Sequence, residues 1–229
     1  MTNISQRLMQ VRERIITAAK AANRDPVDIK LLAISKTRPI EDIVAAIHEG
    51  QHCFGENYLQ SALPKITDLS VNYPDLEWHF IGAIQSNKTK DIANHFDWVH
   101  TVERLKIAQR LNDQRPNHLP PLQVCIQVNI SNEDSKAGIP SEEVMTLAEQ
   151  ISRLPMLKLR GLMAIPMATS DVTEQNQAFA KLHQLFSQLN EQDFALDTLS
   201  MGMSNDLEAA IAEGSTLVRV GTAIFGERV

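Results

Sequence analysis

A lysine at the end of an apolar run is the residue of this chain most able to do covalent chemistry. Lys36 directly follows the apolar run 31–35. When a lysine is desolvated or lies beside other cations, its pKa falls, and the neutral amine can attack a carbonyl carbon to form a Schiff base. A lysine at a strand end can also keep its charge in solvent. Lys36 is therefore a Schiff-base candidate that needs support from the rest of the chain.

Two segments near the end of the sequence could bind an anion. Residues 200–204 (Ser-Met-Gly-Met-Ser) and 219–222 (Arg-Val-Gly-Thr) each follow an apolar run. Small residues let the backbone approach a ligand, and exposed N–H groups attract an anion. The first segment could instead be an ordinary turn with Ser204 as a helix N-cap, and Arg219 could be a surface charge. Together the segments predict a phosphate site, to which Gly221 and Thr222 would offer backbone N–H groups.

Four further residues have both a structural and a functional interpretation. His79 has an aromatic residue on each side, and a lone histidine on such a strand is more often a hydrogen-bonded core residue than a catalyst. Asn57 could bind a ligand or cap a helix. Met201 is interpreted as a packing residue. Lys136 lies in the polar segment 131–138, which is interpreted as a mobile loop, with a functional lysine as the minority alternative.

Short apolar runs alternate with longer amphipathic segments, which is the pattern of β-α units around a parallel sheet. Eight strands are predicted, at residues 31–35, 52–55, 77–81, 98–101, 122–130, 157–164, 198–201 and 217–220. Helices are predicted at residues 1–22, 39–49, 57–69, 86–94, 104–112, 141–153, 173–191 and 205–213.

This order predicts an α/β fold in which residues 1–229 form a single (β/α)8 barrel domain. Such barrels bind ligands at the C-terminal ends of the strands, and phosphate groups usually lie after strands 7 and 8, where segments 200–204 and 219–222 stand. An open doubly wound sheet is the competing architecture, but its GxGxxG motif and the P-loop are both absent. Only residues 222–229 follow the last strand, which is too few for a full eighth helix. We therefore expect the N-terminal helix to pack on part of the barrel surface where that helix would lie.

The composition excludes several classes of protein. The net charge of −6 argues against a general nucleic-acid binder, which usually shows a basic face. The two cysteines lie inside predicted strands without zinc spacing, as expected of small buried residues in a reducing compartment. No stretch has the core of a signal peptide or the roughly 18 apolar residues of a membrane span. We therefore expect a cytoplasmic protein with no metal, membrane or nucleic-acid partner.

Six ordered blocks, which together span nearly the whole chain, carry a specific resemblance. They are Ala-Ile-Ser-Lys-Thr (33–37), Phe-Gly-Glu-Asn-Tyr (54–58), Trp-His-Phe-Ile-Gly-Ala-Ile-Gln-Ser-Asn-Lys (78–88), Gly-Leu-Met-Ala-Ile (161–165), Ser-Met-Gly-Met-Ser-Asn-Asp (200–206) and Arg-Val-Gly-Thr-Ala-Ile-Phe-Gly (219–226). With these blocks the sequence resembles the pyridoxal 5′-phosphate (PLP) homeostasis proteins, also called the YggS/PROSC family, with PipY in cyanobacteria.

The resemblance implies a fold-type III barrel like the N-terminal domain of alanine racemase, with PLP as the cofactor. It implies that Lys36 holds PLP as an internal aldimine and that Arg219 faces the pyridine nitrogen. The phosphate would be held by Ser200, Ser204, Gly221 and Thr222. Around the ring would lie Asn57, His79 and Met201. Lys136 matches a family lysine in a flexible loop, considered a secondary cofactor contact.

The resemblance further implies a role in intracellular PLP homeostasis, in which the cofactor is sequestered or delivered and amino-acid and keto-acid balance is affected. A cationic arginine disfavours protonation of the ring nitrogen, which makes the ring a weaker electron sink. The chain also ends without the β-domain that gives alanine racemase a catalytic tyrosine and a dimer interface. We therefore expect a monomer without catalysis and with apo PLP-dependent enzymes as possible acceptors. A PLP-dependent amino-acid racemase and a cofactor-free lysine aldolase remain as alternatives.

Overall fold

Eight parallel strands form a closed barrel in the computed structural model, which describes residues 4–131 and 137–227. Each strand pairs with the next along the chain, and the last pairs with the first. The strands are β1 (Lys30–Ile34), β2 (Cys53–Glu56), β3 (Glu77–Phe80), β4 (Trp98–Val102), β5 (Leu122–Gln127), β6 (Leu157–Met163), β7 (Thr198–Ser200) and β8 (Leu217–Val220). The predicted (β/α)8 barrel is therefore confirmed, and the open doubly wound alternative is excluded.

Helices connect the strands around the outside of the barrel. They are α1 (Ile4–Ala21), α2 (Ile40–His48), α3 (Leu59–Ser70), α4 (Thr89–His95), α5 (Leu105–Gln114), α6 (Val144–Ile151), α7 (Val172–Asn190), α8 (Leu207–Ala212) and α9 (Thr222–Phe225). Short 3-10 turns at Pro26–Asp28 and Ser141–Glu143 precede β1 and α6. None of the helices within the described ranges is long and apolar enough to cross a membrane.

The N-terminal helix closes the outer layer of the barrel. Buried apolar side chains of α1, such as Leu8, Val11 and Ile15, share the main hydrophobic core. The helix contacts α2 on one side and α8 and α9 on the other. Since α9 has only four residues, α1 occupies much of the space that an eighth full-length helix would take. The expectation from the sequence is thus confirmed.

Several details of the sequence prediction were wrong, and most are ends of helices and strands that differ by up to three residues. The fifth strand was predicted to run to Ile130, but β5 ends at Gln127. Val128 instead forms an isolated parallel bridge with Ile139, so the apolar run continues after the strand by pairing with a loop. Ser204 was one candidate for a helix N-cap, but α8 begins at Leu207 and the capping position is Asp206.

The interior of the barrel contains buried polar side chains, among them His79, His100, Ser200 and Arg219. Residues that pair across parallel strands point to the same face, and the register pairs Gly55 with His79 and His79 with Trp98. Two small apolar clusters are separate from the main core. One contains Leu32, Ile34 and Leu217, and the other contains Trp98, Cys125 and Met163.

Candidate functional site

A cavity of about 1020 Å³ opens at the end of the barrel where the strands terminate. In (β/α)8 barrels this end carries the ligand site. Six of the residues singled out in the sequence line it, namely Lys36, Asn57, Ser204, Arg219, Gly221 and Thr222. The fold therefore brings the candidate lysine and the two small-residue segments to one cavity.

Lys36 is positioned by a buried polar cluster beneath the end of β1. Ser35 is fully buried, and its hydroxyl donates to Glu56 Oε1 at 2.7 Å. Lys65, from α3, donates to the same Glu56 oxygen at 2.8 Å and to the carbonyl oxygen of Ser35 at 2.9 Å. The residue that precedes Lys36 is thus held through both its backbone and its side chain.

The residue that follows Lys36 has a strained backbone. Thr37 has a φ of 63°, in the left-handed region that β-branched residues rarely adopt. Conformations of this kind persist only where the surrounding structure enforces them, and they cluster at functional sites. Thr37 is bounded on one side by Ser35, which Glu56 and Lys65 anchor, and on the other by Arg38, whose backbone N–H donates to the Ser35 carbonyl oxygen at 3.1 Å. Lys36 lies between the anchored residue and the strained one.

The two small-residue segments meet on another wall of the cavity. Ser204 Oγ accepts a hydrogen bond from the backbone N–H of Ala223 at 3.4 Å, which joins the loop after β7 to the turn after β8. Gly202 has a φ of 93°, and a Cβ atom built on it would lie 2.6 Å from the Ala210 side chain. Gly202 is therefore required by its conformation and by close packing against α8.

Arg219 forms the buried floor of the cavity. Its guanidinium donates to Ser200 Oγ at 2.8 Å, to the Ser200 carbonyl oxygen and to the Ala164 carbonyl oxygen at 2.9 Å. Burial lowers the pKa of Arg219 to about 10, against a smaller opposing effect of Asp206. The guanidinium therefore keeps its positive charge at neutral pH, on the interior side of the cavity.

Three residues assigned to the site do not line the cavity. Ser200 and Met201 are fully buried, and Ser200 lies under Arg219. His79 is also fully buried and stacks on Trp98, with ring centroids 5.3 Å apart. Ser200 and His79 lie in the layer below the cavity wall, so any effect on a ligand would pass through the residues above them. Met201 instead packs in the main hydrophobic core on the other face of the sheet.

Comparisons with known proteins identify the family. The family model for the alanine racemase N-terminal domain matches residues 7–229. The pyridoxal phosphate homeostasis protein of Pseudomonas aeruginosa is 56% identical over 100% of this chain and 97% of its own length. The corresponding protein of Escherichia coli K12 is 52% identical, with 100% and 98% covered. This chain belongs to the pyridoxal phosphate homeostasis protein family.

Solved structures agree with this family assignment. PipY of Synechococcus elongatus, solved with PLP bound, is 35% identical, with a TM-score of 0.84 over 97% of this chain and 100% of PipY. Alanine racemase of Clostridium difficile has a TM-score of 0.74 at 17% identity, and the match covers 100% of this chain but 57% of that enzyme. The racemase comparison shows the barrel fold alone.

Sequence reasoning missed a second buried histidine in this family member. His100 is fully buried on β4, and its Nε2 lies 2.8 Å from Nδ1 of His79. Its Nδ1 lies 2.8 Å from Ser200 Oγ. The available signal was weak, since His100 follows Trp98 at the spacing of two that places both side chains on one face of a strand.

A group of possible metal ligands also lies inside the barrel. The ligand atoms of Cys53, Glu77 and His79 are within 4.8 Å of one another. However, Glu77 Oε1 already accepts hydrogen bonds from Lys30 and His79, each at 2.8 Å. Burial raises the pKa of the Cys53 thiol to about 12, with a further contribution from Glu77. We interpret the group as a hydrogen-bonded cluster around one carboxylate.

The remaining candidate, Lys136, lies outside the described residues. Sequence reasoning also overlooked Glu103 and Asp206 as lining residues. They place acidic side chains around the same opening as Lys36.

Proposed function

We propose that this chain binds PLP in the cavity, attached covalently to Lys36 Nζ, and acts in intracellular PLP homeostasis by holding and delivering the cofactor. One observation carries the proposal. Lys36, the two small-residue segments and Arg219 line a single cavity at the C-terminal end of the strands. A ligand with an aldehyde at one end and a phosphate at the other needs an amine and an anion-binding loop on different walls of one cavity.

The residues present fit this cofactor. Ser204, Gly221 and Thr222 would hold the phosphate, while Arg219 would meet the ring nitrogen. The Oδ1 atom of Asn57 is buried and has no hydrogen-bond partner among the described residues. Since buried polar atoms are nearly always bonded, a ligand atom at this part of the wall accounts for it. PLP in the PipY structure is independent support from a relative of the same family.

Arg219 favours retention of the cofactor over demanding catalysis. PLP supplies an electrophilic aldehyde and an electron-withdrawing ring, whose strength depends on the charge at the ring nitrogen. A buried cation that bonds only Ser200 and Ala164 among the described residues disfavours protonation of that nitrogen. The ring would therefore stabilise a carbanion weakly. No specific observation favours racemase activity.

The proposal also covers the domain organisation, oligomeric state, acceptors and location of the protein. Residues 1–229 form one domain that acts as a monomer, with apo PLP-dependent enzymes as acceptors. The two cysteines are free thiols, which supports a reducing, cytoplasmic location. Light scattering that gave a dimeric mass would contradict the monomer.

An absorption spectrum tests the attachment site. PLP is added to wild-type protein, to Lys36→Ala and to the control Lys90→Ala, which changes an exposed lysine of α4, and excess cofactor is removed. We expect the visible band of a protonated Schiff base in wild type and control, and its loss in Lys36→Ala. The absence of the band from wild type would refute the proposal.

A panel of amino acids separates the carrier from the racemase alternative. We expect no turnover by the loaded wild-type protein and retention of its visible band after the excess amino acid is removed. Racemisation that is abolished by Lys36→Ala would instead establish an enzyme. A protein that binds no PLP but cleaves aldol substrates through Lys36 would support the third alternative.

A further inference from the structure

A continuous chain of hydrogen bonds crosses the barrel interior below the cavity. Starting from Arg219, it passes through Ser200 Oγ, His100, His79 and Glu77, and each of the four contacts is 2.8 Å long. The two histidines and Ser200 are fully buried. These hydrogen bonds end at Glu77, the first residue of β3, at the opposite mouth of the barrel.

Glu77, at the far end of this series of hydrogen bonds, determines the direction in which each bond donates. Partial burial alone would raise the pKa of Glu77, but hydrogen bonds from His79 and Lys30, together with the charge of Lys30, hold it well below its usual value. Glu77 is therefore a carboxylate that can only accept, so His79 Nε2 carries a proton. Burial also lowers the pKa of His79, and Glu77 only partly opposes this effect. A neutral His79 must then accept a hydrogen bond at Nδ1.

The donors and acceptors between His79 and Arg219 can be assigned in the same way. Since His79 Nδ1 accepts, His100 Nε2 carries the proton and His100 Nδ1 is an acceptor. Burial, with His79 and Arg219 as further causes, holds the pKa of His100 well below its usual value, which agrees with this neutral tautomer. Ser200 then donates its only hydroxyl proton to His100. The remaining lone pairs of Ser200 Oγ are directed at the guanidinium of Arg219.

We propose that His100 is a positioning residue that orients Arg219 toward the cofactor nitrogen by fixing the hydroxyl of Ser200, and that His79 and Glu77 fix the tautomer of His100. This inference rests on the proposed function. It explains why an interior that could be apolar contains two histidines, since a buried polar chain costs stability unless every member is bonded. It also explains how Arg219 is held although its guanidinium hydrogen-bonds no carboxylate among the described residues.

Two substitutions at His100 separate positioning from simple packing. In His100→Asn the amide oxygen takes the place of Nδ1 and can still accept from Ser200. In His100→Gln the amide takes the place of Nε2, so that it can reach His79 but no longer orients Ser200. Both replacements are neutral, and both remove the ring that packs beside His79. Thermal unfolding of both variants checks that each is folded.

The readout is the rate at which loaded protein releases its cofactor to an excess of an apo-enzyme trap. It is measured with PLP and with the 1-deaza analogue, in which a carbon replaces the ring nitrogen. We expect His100→Gln to release PLP about tenfold faster than wild type, the scale of one lost hydrogen bond to a charged group. His100→Asn should stay within about twofold of wild type. The analogue should be released at similar rates by all three proteins.

The outcomes distinguish this inference from the proposed function. Wild type without a visible Schiff-base band would refute the proposed function and with it the inference. Equal release of PLP from wild type and His100→Gln would overturn the inference alone. So would an equal acceleration in both variants, or an acceleration that persists with the deaza analogue, because each would indicate a general packing defect.

Discussion

The buried ion pair beneath Lys36 gives the sharpest prediction about stability. Side chains of Glu56 and Lys65 are 0% and 9% exposed, and their charged atoms lie 2.8 Å apart. Replacement of Glu56 by glutamine leaves the ammonium of Lys65 buried without a counter-charge. Removal of one partner of a buried pair typically costs about 3–5 kcal/mol. We expect Glu56→Gln to lower the free energy of unfolding by about 3 kcal/mol, the lower end of this range, because the amide oxygen can still accept a hydrogen bond from Ser35.

A matched control uses the same substitution at an exposed pair. Glu208 bonds Arg14 at 2.7 Å, and the two side chains are 51% and 36% exposed. Exposed pairs of this kind contribute about 0–1 kcal/mol, so Glu208→Gln should leave the free energy of unfolding nearly unchanged. Urea denaturation followed by circular dichroism measures both variants. Equal midpoints for Glu56→Gln and Glu208→Gln would refute the interpretation of the buried pair.

A double variant tests whether the cost comes from the unpaired charge. Glu56→Gln combined with Lys65→Met removes both charges, and paired replacement is often close to neutral. We expect the double variant to be more stable than Glu56→Gln alone, with a coupling energy above about 1 kcal/mol in the thermodynamic cycle. A double variant that loses the sum of the two single effects would mean that the residues act independently.

Two further predictions concern the barrel interior. Because His79 and His100 have pKa values below the ordinary 6.5, the unfolded chain binds protons that the folded chain excludes. Stability should therefore fall as the pH drops from 6.5 to 5.5, by at most about 1.4 kcal/mol per pH unit for each histidine; urea curves that are unchanged over this window would contradict it. Gly161→Ala should destabilise the barrel by at least about 3 kcal/mol, since the added Cβ would lie 1.7 Å from the Thr198 carbonyl oxygen. In Gly50→Ala the methyl meets nothing within 4 Å, and only the left-handed backbone with a φ of 75° opposes it, at about 1–2 kcal/mol. Thermal unfolding should therefore show a smaller loss of stability for Gly50→Ala than for Gly161→Ala, and equal losses would refute the steric explanation.

The fold was predictable because apolar runs and their spacing carry most of the information in a parallel barrel. Strands that are buried on both faces are continuous apolar runs, and all eight were found in order. The end of β5 was not predictable from the run itself. Val128 is as apolar as the strand residues, and only its bridge to Ile139 shows that the ladder has ended.

The cavity was predictable for a geometric reason, whereas the layer beneath it was not. Residues that follow parallel strands converge at one end of a barrel, so Lys36 and Arg219 could be placed together. The height of a side chain inside the barrel depends on strand tilt and stagger, which local patterns do not contain. On β3, His79 lies within the strand, while Ile81, two residues later, lines the cavity.

Partners distant in sequence account for the residues that were missed. The role of His100 depends on its hydrogen bond to Ser200, which lies one hundred residues later in the sequence. Lys65 looks like a surface residue of an amphipathic helix, but its ammonium is directed inward to Glu56 and the carbonyl oxygen of Ser35. A polar residue in an apolar strand was the available signal for His100, whereas the sequence of α3 gave none for Lys65. In both cases the fold was needed to identify the partner.

The hydrogen bonds that orient Arg219 are also the ones that satisfy the buried polar groups of the barrel interior. Most barrels of this class fill their interior with layers of branched apolar side chains. Here a single file of polar groups connects Arg219 at the cavity with Glu77 and Lys30 at the other end. Because a partly bonded buried chain is worse than an apolar core, a break at His100 should lower stability and disorder the guanidinium together. A rigid cation at the cavity floor is what a protein that retains a cofactor without using it as an electron sink requires.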